Sequence, residues 1–252
     1  MPEQTGKQTP GVEGDLWDTP AKKACAVVRI GRWRSSRPAP LKRLDLAKQH
    51  GPQRPLSIAT LGDRARQAGH LQARQPMADT TGDPHADGLR PTRRCADALD
   101  PCGKLLRQHT SATWIWAGDR QGVFDHRGCA WLEPHIPMHT RVLSQWLRSG
   151  CVARGVRVPT TAGVPHGGSI SPVISTRGWD GLEAVLRGGS WHRRVHHSHA
   201  GRGADDVIGT ATAREVWEEP VLPRIRALLA GGGIRLSPTK TVIPPISQGL
   251  AG

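Results

Sequence analysis

Three acidic residues stand where carboxylates could bind metal ions. Asp205 and Asp206 are adjacent and precede Val207-Ile208, a β-branched run typical of a strand. Asp119 ends a second apolar run, Trp114-Ile115-Trp116-Ala117-Gly118. Carboxylate oxygens suit hard divalent cations that bridge phosphates, so two strands ending in acids would make a two-metal site. An Asp-Asp pair is also common in turns and helix caps, which leaves the structural alternative open.

The charge of the chain favours a polyanion as partner. The 252 residues include 35 Lys and Arg against 21 Asp and Glu, for a net charge of +14. Such a balance promotes binding to nucleic acid through phosphate neutralisation and counterion release. The alternative is a basic composition that follows a GC-rich genome.

Cysteine usage and hydropathy indicate a cytoplasmic protein with no membrane contact. The five Cys include no CxxC pair, and there is no apolar run of about 18 residues. We therefore expect reduced thiols and no cysteine zinc site. The chain also has one Phe, no Tyr and nine Trp. Because aromatic side chains supply much of the buried area in ordinary domains, we expect a poorly filled core.

Local patterns predict the elements that must position the acids. A turn over 201–206 should lead into a strand, Arg54 to Thr60 reads as another strand, and a helix should begin near Asp63. Met138 to Arg148 has the apolar periodicity of a helix and is followed by the stop signal Gly150.

The composition of three further segments predicts their local structure. Pro220 and Pro223 should break the helix before Leu228. The segment 191–200 holds four His among arginines, and we expect a solvated basic loop there rather than a zinc site. Gly163 to Pro172 predicts a glycine-rich turn where backbone can approach a ligand closely.

In their order along the chain, these motifs resemble the reverse transcriptase domain of bacterial group II intron-encoded proteins, the RNA-directed DNA polymerase and maturase family. The resemblance covers roughly residues 5–245. It rests on the following segments: Thr9-Pro10-Gly11-Val12-Glu13-Gly14 for TPGVDG, Gly88-Leu89-Arg90-Pro91 for GFRP, Gly118-Asp119 with Phe124 for the first catalytic motif, Gly163–Pro172 for the PQGG loop, Gly203–Asp206 for YADD, and Leu236–Thr241 for LSPEKT.

The resemblance implies a set of site residues. Asp119, Asp205 and Asp206 would be catalytic and would bind two Mg²⁺ ions. Phe124 would lie under the sugar of the incoming nucleotide and exclude a 2′-hydroxyl, the alternative being a core ring. The remaining substrate-binding positions that the family motifs imply are Arg54, Arg64, His166, Gly167 and Gly168.

The resemblance also implies an α+β fold with reverse-transcriptase fingers and palm, in which an antiparallel palm sheet packs on helices. We expect an extended N-terminal arm over 1–24, a fingers-like region over 25–110 and a palm-like region over 111–252. The resemblance further implies a truncated and diverged copy, in which we expect the thumb or maturase domain and an HNH nuclease domain to be missing. The family's Tyr of YADD is Gly203, and its Gln of PQGG is His166.

The implied function is reverse transcription by two-metal nucleotidyl transfer, as in a mobile element. The partners would be an RNA template, a DNA primer, group II intron RNA and deoxynucleoside triphosphates. Because the thumb is absent and Gly203 replaces Tyr, we expect weak or lost activity. The alternatives are a non-catalytic RNA-binding remnant, a maturase-like helper of intron splicing, and a partly disordered product of a decayed gene.

Overall fold

The computed structural model describes residues 8–31, 37–47, 53–81, 96–97, 100, 103, 112–121, 129–160, 168–171, 174, 177–189, 195–198 and 206–248. The chain divides into two compact units that alternate along the sequence. Unit 1 comprises Met1–Pro76 and Gly128–Pro172, and unit 2 comprises Met77–Arg127 and Val173–Gly252. Each unit contains a four-stranded sheet together with helices, which confirms the predicted α+β fold.

The helices and strands follow one another in mixed order. They are α1 Pro20–Gly31, β1 Leu41–Leu46, β2 Arg54–Ile58, α2 Leu61–Thr81, β3 Trp114–Gln121, α3 Cys129–His135, α4 Thr140–Leu147, β4 Cys151–Ala153, β5 Val156–Val158, α5 Leu182–Arg187, β6 Val195–Ser198, β7 Asp206–Ala211, α6 Arg214–Val216, α7 Leu222–Gly231 and β8 Arg235–Leu236. The strand over Arg54–Ile58, the helix that contains Asp63 and the helix before Gly150 agree with the sequence predictions.

The sheet of unit 1 has the strand order β2-β1-β4-β5. Strand β1 is antiparallel to β2 and parallel to β4, and β4 and β5 form a hairpin. Leu41 and Cys151 of this sheet form a small apolar cluster with Ala59, and α3 and α4 bury further apolar side chains, among them Leu132, Leu143, Trp146 and Leu147. Polar contacts add to this apolar packing.

The start of α2 shows these polar contacts most clearly. The Asp63 amide donates to Thr60 Oγ1 at 3.1 Å, and the same hydroxyl donates to Asp63 Oδ2 at 2.7 Å, in the manner of a capping box. The carboxylate also accepts the Ala39 amide at 3.0 Å. Glu13 accepts the Leu61 amide at 2.8 Å. These bonds satisfy amides that a helix start leaves without partners and tie the N-terminal segment to α2.

The sheet of unit 2 is antiparallel, with the order β6-β7-β3-β8. One face lies on a core in which Trp116, Trp179 and Trp217 are all buried. Aliphatic residues of α5 and α7 complete this cluster. The expectation of a poorly filled core is wrong for this unit, because the large indole rings occupy the volume that Phe and Tyr usually fill.

The predicted break at Pro220 is wrong. The chain stays helical from α6 through a π-helical turn, Trp217–Val221, into α7. A π turn widens the helix locally, so the missing amide of Pro220 is accommodated without ending it. Pro223 lies in the first turn of α7, where proline is well tolerated. Helix α7 ends at Gly231, and Gly233 two residues later has φ +69°.

The predicted basic loop over the His-rich segment is also wrong in part. Residues 195–198 form β6, which pairs with β7 through His196 opposite Thr210 and His197 opposite Gly209. Pairing with a central strand satisfies the backbone of this segment, and composition alone does not reveal such a partner. The rest of the segment lies outside the described residues.

Candidate active site on the antiparallel sheet

The site is built around Asp119 near the end of β3. The antiparallel register places Asp119 directly opposite Asp206, the first residue of β7. Both predicted strands exist, and β3 continues two residues beyond Asp119. Asp205 and the side chain of Asp206 lie outside the described residues. The backbone thus brings two of the three predicted acidic positions together.

Two glycines allow tryptophan rings to lie flat on this sheet. A Cβ at Gly118 would overlap the ring of Trp116, and a Cβ at Gly209 would lie 2.5 Å from Trp217 Cη2. The two rings pack with their centroids 5.4 Å apart. Because Gly118 precedes Asp119, any larger residue there would shift the backbone that carries the carboxylate.

Asp119 is in contact with a cation that the sequence did not predict. The Lys240 ammonium lies 2.8 Å from Asp119 Oδ2, and the lysine side chain is 71% exposed while that of Asp119 is only 14% exposed. The segment that carries Lys240 is held on β3, because the Ser237 amide donates to the Asp119 carbonyl at 2.7 Å and the amides and carbonyls of Ala117 and Val242 pair. The LSPEKT-like motif was the available signal for this contact.

This contact bears on whether a metal fits. A largely buried carboxylate that already contacts an ammonium group offers the oxygen donor and local negative charge that Mg²⁺ prefers. Among the described side chains there is no group of three or more His, Cys, Asp and Glu that could hold a metal ion. Two of the three predicted ligands are outside that set, so the complete ligand set stays a prediction.

Arg120, which follows Asp119, is a further residue that sequence reasoning missed. It is 3% exposed, and its guanidinium carbon lies 5.0 Å from the centre of the Trp179 ring. This cation–π contact places a permanent positive charge within the apolar core beside the acidic strand end. Its place in the catalytic motif gave no indication that the side chain is buried.

The predicted substrate-binding arginines lie in unit 1. Arg64 is half-buried and donates through Nε to the Ala59 carbonyl at 2.9 Å and through Nη2 to the Thr9 carbonyl. Burial lowers the pKa of Arg64, and the nearby carboxylate of Glu13 opposes that change. Arg54 is the first residue of β2, and its side chain lies outside the described residues. Their substrate roles stay predictions.

The glycine-rich segment is described only from Gly168 to Ser171. Gly168 is buried, and a Cβ there would lie 2.6 Å from Ser171 Oγ and 2.9 Å from Gln67 Oε1. Gln67 is 4% exposed and accepts the Ser169 amide at 2.8 Å. The backbone here therefore packs closely on Gln67 of α2, an anchor that the sequence did not predict, and the predicted approach to a ligand stays a prediction. Phe124, His166 and Gly167 lie outside the described residues.

Comparison with known proteins gives a consistent result. A family model described as "Reverse transcriptase (RNA-dependent DNA polymerase)" matches residues 46–245. Protein YkfC of Escherichia coli (strain K12) is 25% identical over 289 aligned residues, which cover 97% of this chain and 74% of that protein. Group II intron-encoded protein LtrA of Lactococcus lactis subsp. cremoris is 26% identical over 145 residues, which cover 55% of this chain and 24% of that protein.

Solved structures share the fold. Apo telomerase from Candida tropicalis has a TM-score of 0.60 at 10% identity, with 90% of this chain and 49% of that chain covered. The same telomerase truncated from its C-terminal domain has a TM-score of 0.54 at 13% identity, with 92% and 56% covered. This chain thus spans about half of those chains and about a quarter of LtrA. Within the described residues no helix is both long and apolar enough to cross a bilayer.

Proposed function

Since this chain belongs to the reverse transcriptase (RNA-dependent DNA polymerase) family, we propose that it catalyses template-directed transfer of a deoxynucleotide to a primer 3′ end. Asp119, Asp205 and Asp206 are the proposed catalytic carboxylates. The observation that carries the proposal is the strand register, which sets Asp119 opposite Asp206 at the end of the ladder between the central strands β3 and β7. A packed sheet holds such groups with the small tolerance that phosphoryl transfer requires.

The three carboxylates would hold two Mg²⁺ ions, which when bound supply activation of the primer hydroxyl and charge stabilisation at the transferring phosphate. The fixed sheet keeps Asp119 in place, and its low exposure strengthens its attraction for a cation. Lys240 neutralises this carboxylate when no other cation does so. Because the lysine side chain is largely exposed, it can leave Asp119 at little cost.

The remaining residues are proposed to bind substrate. Phe124 would exclude a ribonucleotide by packing under the sugar, and Arg54 and Arg64 would approach the triphosphate and template. The backbone at His166-Gly167-Gly168 would lie close to the nucleotide and primer.

The proposed RNA partner is a group II intron. The similarity to LtrA over 145 residues supports this choice, as does the order of motifs along the chain. A second candidate function is RNA binding without nucleotide transfer, as a helper of intron splicing. The net charge of +14 favours it equally, because charge attracts RNA whether or not catalysis follows.

Primer extension on poly-riboadenylate with an oligo-deoxythymidine primer and Mg²⁺ tests the proposal. Asp119→Asn and Asp205→Ala should each reduce incorporation by about 10²-fold or more, because each removes charge that stabilises the transition state. Glu215→Gln is the matched control, since it removes one carboxylate from an exposed position of α6 in the same unit. It should leave the rate unchanged.

RNA binding by the same variants separates the two candidates. Wild type and Asp119→Asn should bind RNA equally well. Background incorporation by all four proteins together with intact RNA binding would contradict the polymerase and support the splicing helper. Loss of RNA binding in Asp119→Asn would instead show that the substitution had damaged the fold.

A further inference from the structure

The turn between β4 and β5 contains a residue type that its backbone conformation disfavours. Arg154 has φ +50° and the next residue, Gly155, has φ +80°. A two-residue hairpin loop with both φ values positive prefers Asn, Asp or Gly, because a Cβ in the left-handed region crowds the backbone. Among the described residues, Arg154 is the one non-glycine residue with positive φ.

Nothing in unit 1 explains why arginine occupies this place. Its side chain is exposed, and it makes no ion pair or hydrogen bond with the described residues. A strained residue whose side chain contributes no contact to the fold indicates a role outside the fold.

Arg154 lies on the rim of a basic cleft. The cleft has a volume of about 800 Å³, and its lining includes Lys42 and Arg43 of β1, the end of β4 with the Arg154-Gly155 turn, and Gly11, Val12 and Gly14. Asp45 is the carboxylate among its lining residues, and Arg43 Nε lies 3.4 Å from it. Lys42 and Arg154 therefore leave the cleft with a net positive charge.

The strand register extends this charge across the sheet. Lys42 stands opposite Val152, and Val152 stands opposite Arg157. Residues that pair across neighbouring strands project from the same face, so Lys42 and Arg157 lie on one face with Val152 between them. Like Lys42, Arg157 makes no ion pair among the residues described here. Because β4 lies between β1 and β5, the two cations are two strand spacings apart, about 10 Å across the sheet.

We propose that Lys42, Arg154 and Arg157 form a binding surface for the sugar-phosphate backbone of RNA, separate from the carboxylate site. A repeating polyanion suits it, because cations spaced apart on one face of the sheet can each neutralise a different phosphate. The absence of aromatic side chains from the cleft lining indicates contact with phosphates rather than stacking of bases. Only the choice of RNA as the polyanion rests on the proposed function.

Replacing Arg154 by Gly separates this role from a structural one. Glycine relieves the left-handed strain, so the melting temperature of the full chain should rise by about 2–4 °C. The same variant should bind single-stranded RNA about three- to tenfold more weakly at 100 mM salt, because one phosphate contact is lost. If the Arg154 side chain only supported the fold, Arg154→Gly would lower both the melting temperature and the RNA affinity, or would lower neither.

Fluorescence anisotropy with a labelled RNA and a salt titration, without nucleotides or Mg²⁺, measures the loss. The slope of log affinity against log salt should fall by about 0.7–0.9 for Arg154→Gly and by two to three times as much when Lys42→Ala and Arg157→Ala are added. Arg141→Ala is the matched control: Arg141 is exposed on α4 of the same unit, is without an ion pair among the described residues, and should change neither affinity nor slope.

Two results would overturn the proposal. One is RNA binding by Arg154→Gly with the affinity and salt slope of the wild type. The other is equal competition by polyglutamate and RNA, which would assign the surface to an acidic protein. Because these measurements need no nucleotide transfer, an inactive polymerase would leave their outcome unaffected.

Discussion

The packing around the charged groups differs between the two compact units. In unit 2 the acidic strand end lies above a core of buried tryptophans, and two glycines let the rings approach the sheet. Unit 1 also buries apolar side chains, on α3 and α4, but in it buried polar groups such as Asp63 and Gln67 hold helix α2 to neighbouring segments. Of the cations on its sheet, Arg43 and Arg157 are exposed and Lys42 is half-buried.

This difference matches the chemistry proposed for each unit. Carboxylates that hold metal ions must keep a fixed geometry, and a close-packed apolar layer resists displacement in every direction. Cations that neutralise phosphates act over several ångströms and tolerate movement. A rigid apolar base therefore suits the acids, and exposed mobile side chains suit the RNA surface.

The largest effect should come from removing the core of unit 2. Trp217 is fully buried, so Trp217→Ala should lower the free energy of unfolding by about 3–5 kcal/mol through the cavity it leaves. Hydrogen exchange should rise in β3 and β7 and should stay unchanged in β1 and β2. Trp131→Ala is the matched control, because Trp131 stacks on His135 at a half-buried position. Uniform loss of protection in both units would contradict separate cores.

The corresponding change in unit 1 removes a buried polar group. Asp63→Ala should cost about 2–3 kcal/mol, because the Ala39 amide and the Thr60 hydroxyl lose their acceptor and the Arg66 guanidinium loses its carboxylate. Urea unfolding measures the loss. Asp45→Ala, which breaks an exposed pair on β1, should cost less than about 1 kcal/mol. Similar losses of unfolding free energy in Asp63→Ala and Asp45→Ala would show that burial of the carboxylate does not determine the loss.

A smaller effect is expected at the contact between Lys240 and Asp119. Lys240→Gln removes a competing cation, so Mn²⁺ should bind about two- to fivefold more tightly, in keeping with a pair worth up to about 1 kcal/mol. Calorimetric titration without RNA or nucleotide measures this affinity. Lys22→Gln breaks the exposed pair with Asp18 and serves as control. Weaker Mn²⁺ binding by the Lys240 variant would contradict competition at Asp119.

The smallest effect concerns the pH dependence of unit 1. Burial, followed by the charge of Arg74, lowers the pKa of His70 from its ordinary value of 6.5. The folded state therefore favours neutral His70, and its contribution to stability is present above pH 6.5 and lost as the pH falls through the lower folded pKa. His70 also meets the Trp146 ring edge-on at 5.2 Å.

Thermal unfolding at pH 7.5 and 5.5 measures this dependence. The decrease in melting temperature on acidification should be smaller in His70→Gln than in the wild type. His139→Gln, at an exposed position before α4, controls for the loss of a histidine elsewhere in the unit. If the melting temperature of His70→Gln fell on acidification as much as that of the wild type, His70 would not contribute to the pH dependence.

Short-range patterns were sufficient for several elements. The apolar run that ends at Asp119 is a strand, the residues after Asp205 begin another, and α4 ends before Gly150 as its periodicity and stop signal predicted. Each of these signals arises among residues a few positions apart. The His-rich segment and Pro220 were misassigned because a strand partner in one case and a π-helical turn in the other overrode local preference.

The sequence by itself determined the family, the acidic positions and the identity of most elements, because these are encoded in the order and periodicity of neighbouring residues. Only the tertiary structure decided that Asp119 stands opposite Asp206, that Lys240 contacts Asp119 and that Arg154 adopts a left-handed conformation. Strand register and long-range ion pairs depend on which distant segments pack together. That choice minimises the free energy of the whole chain, and no local pattern contains it.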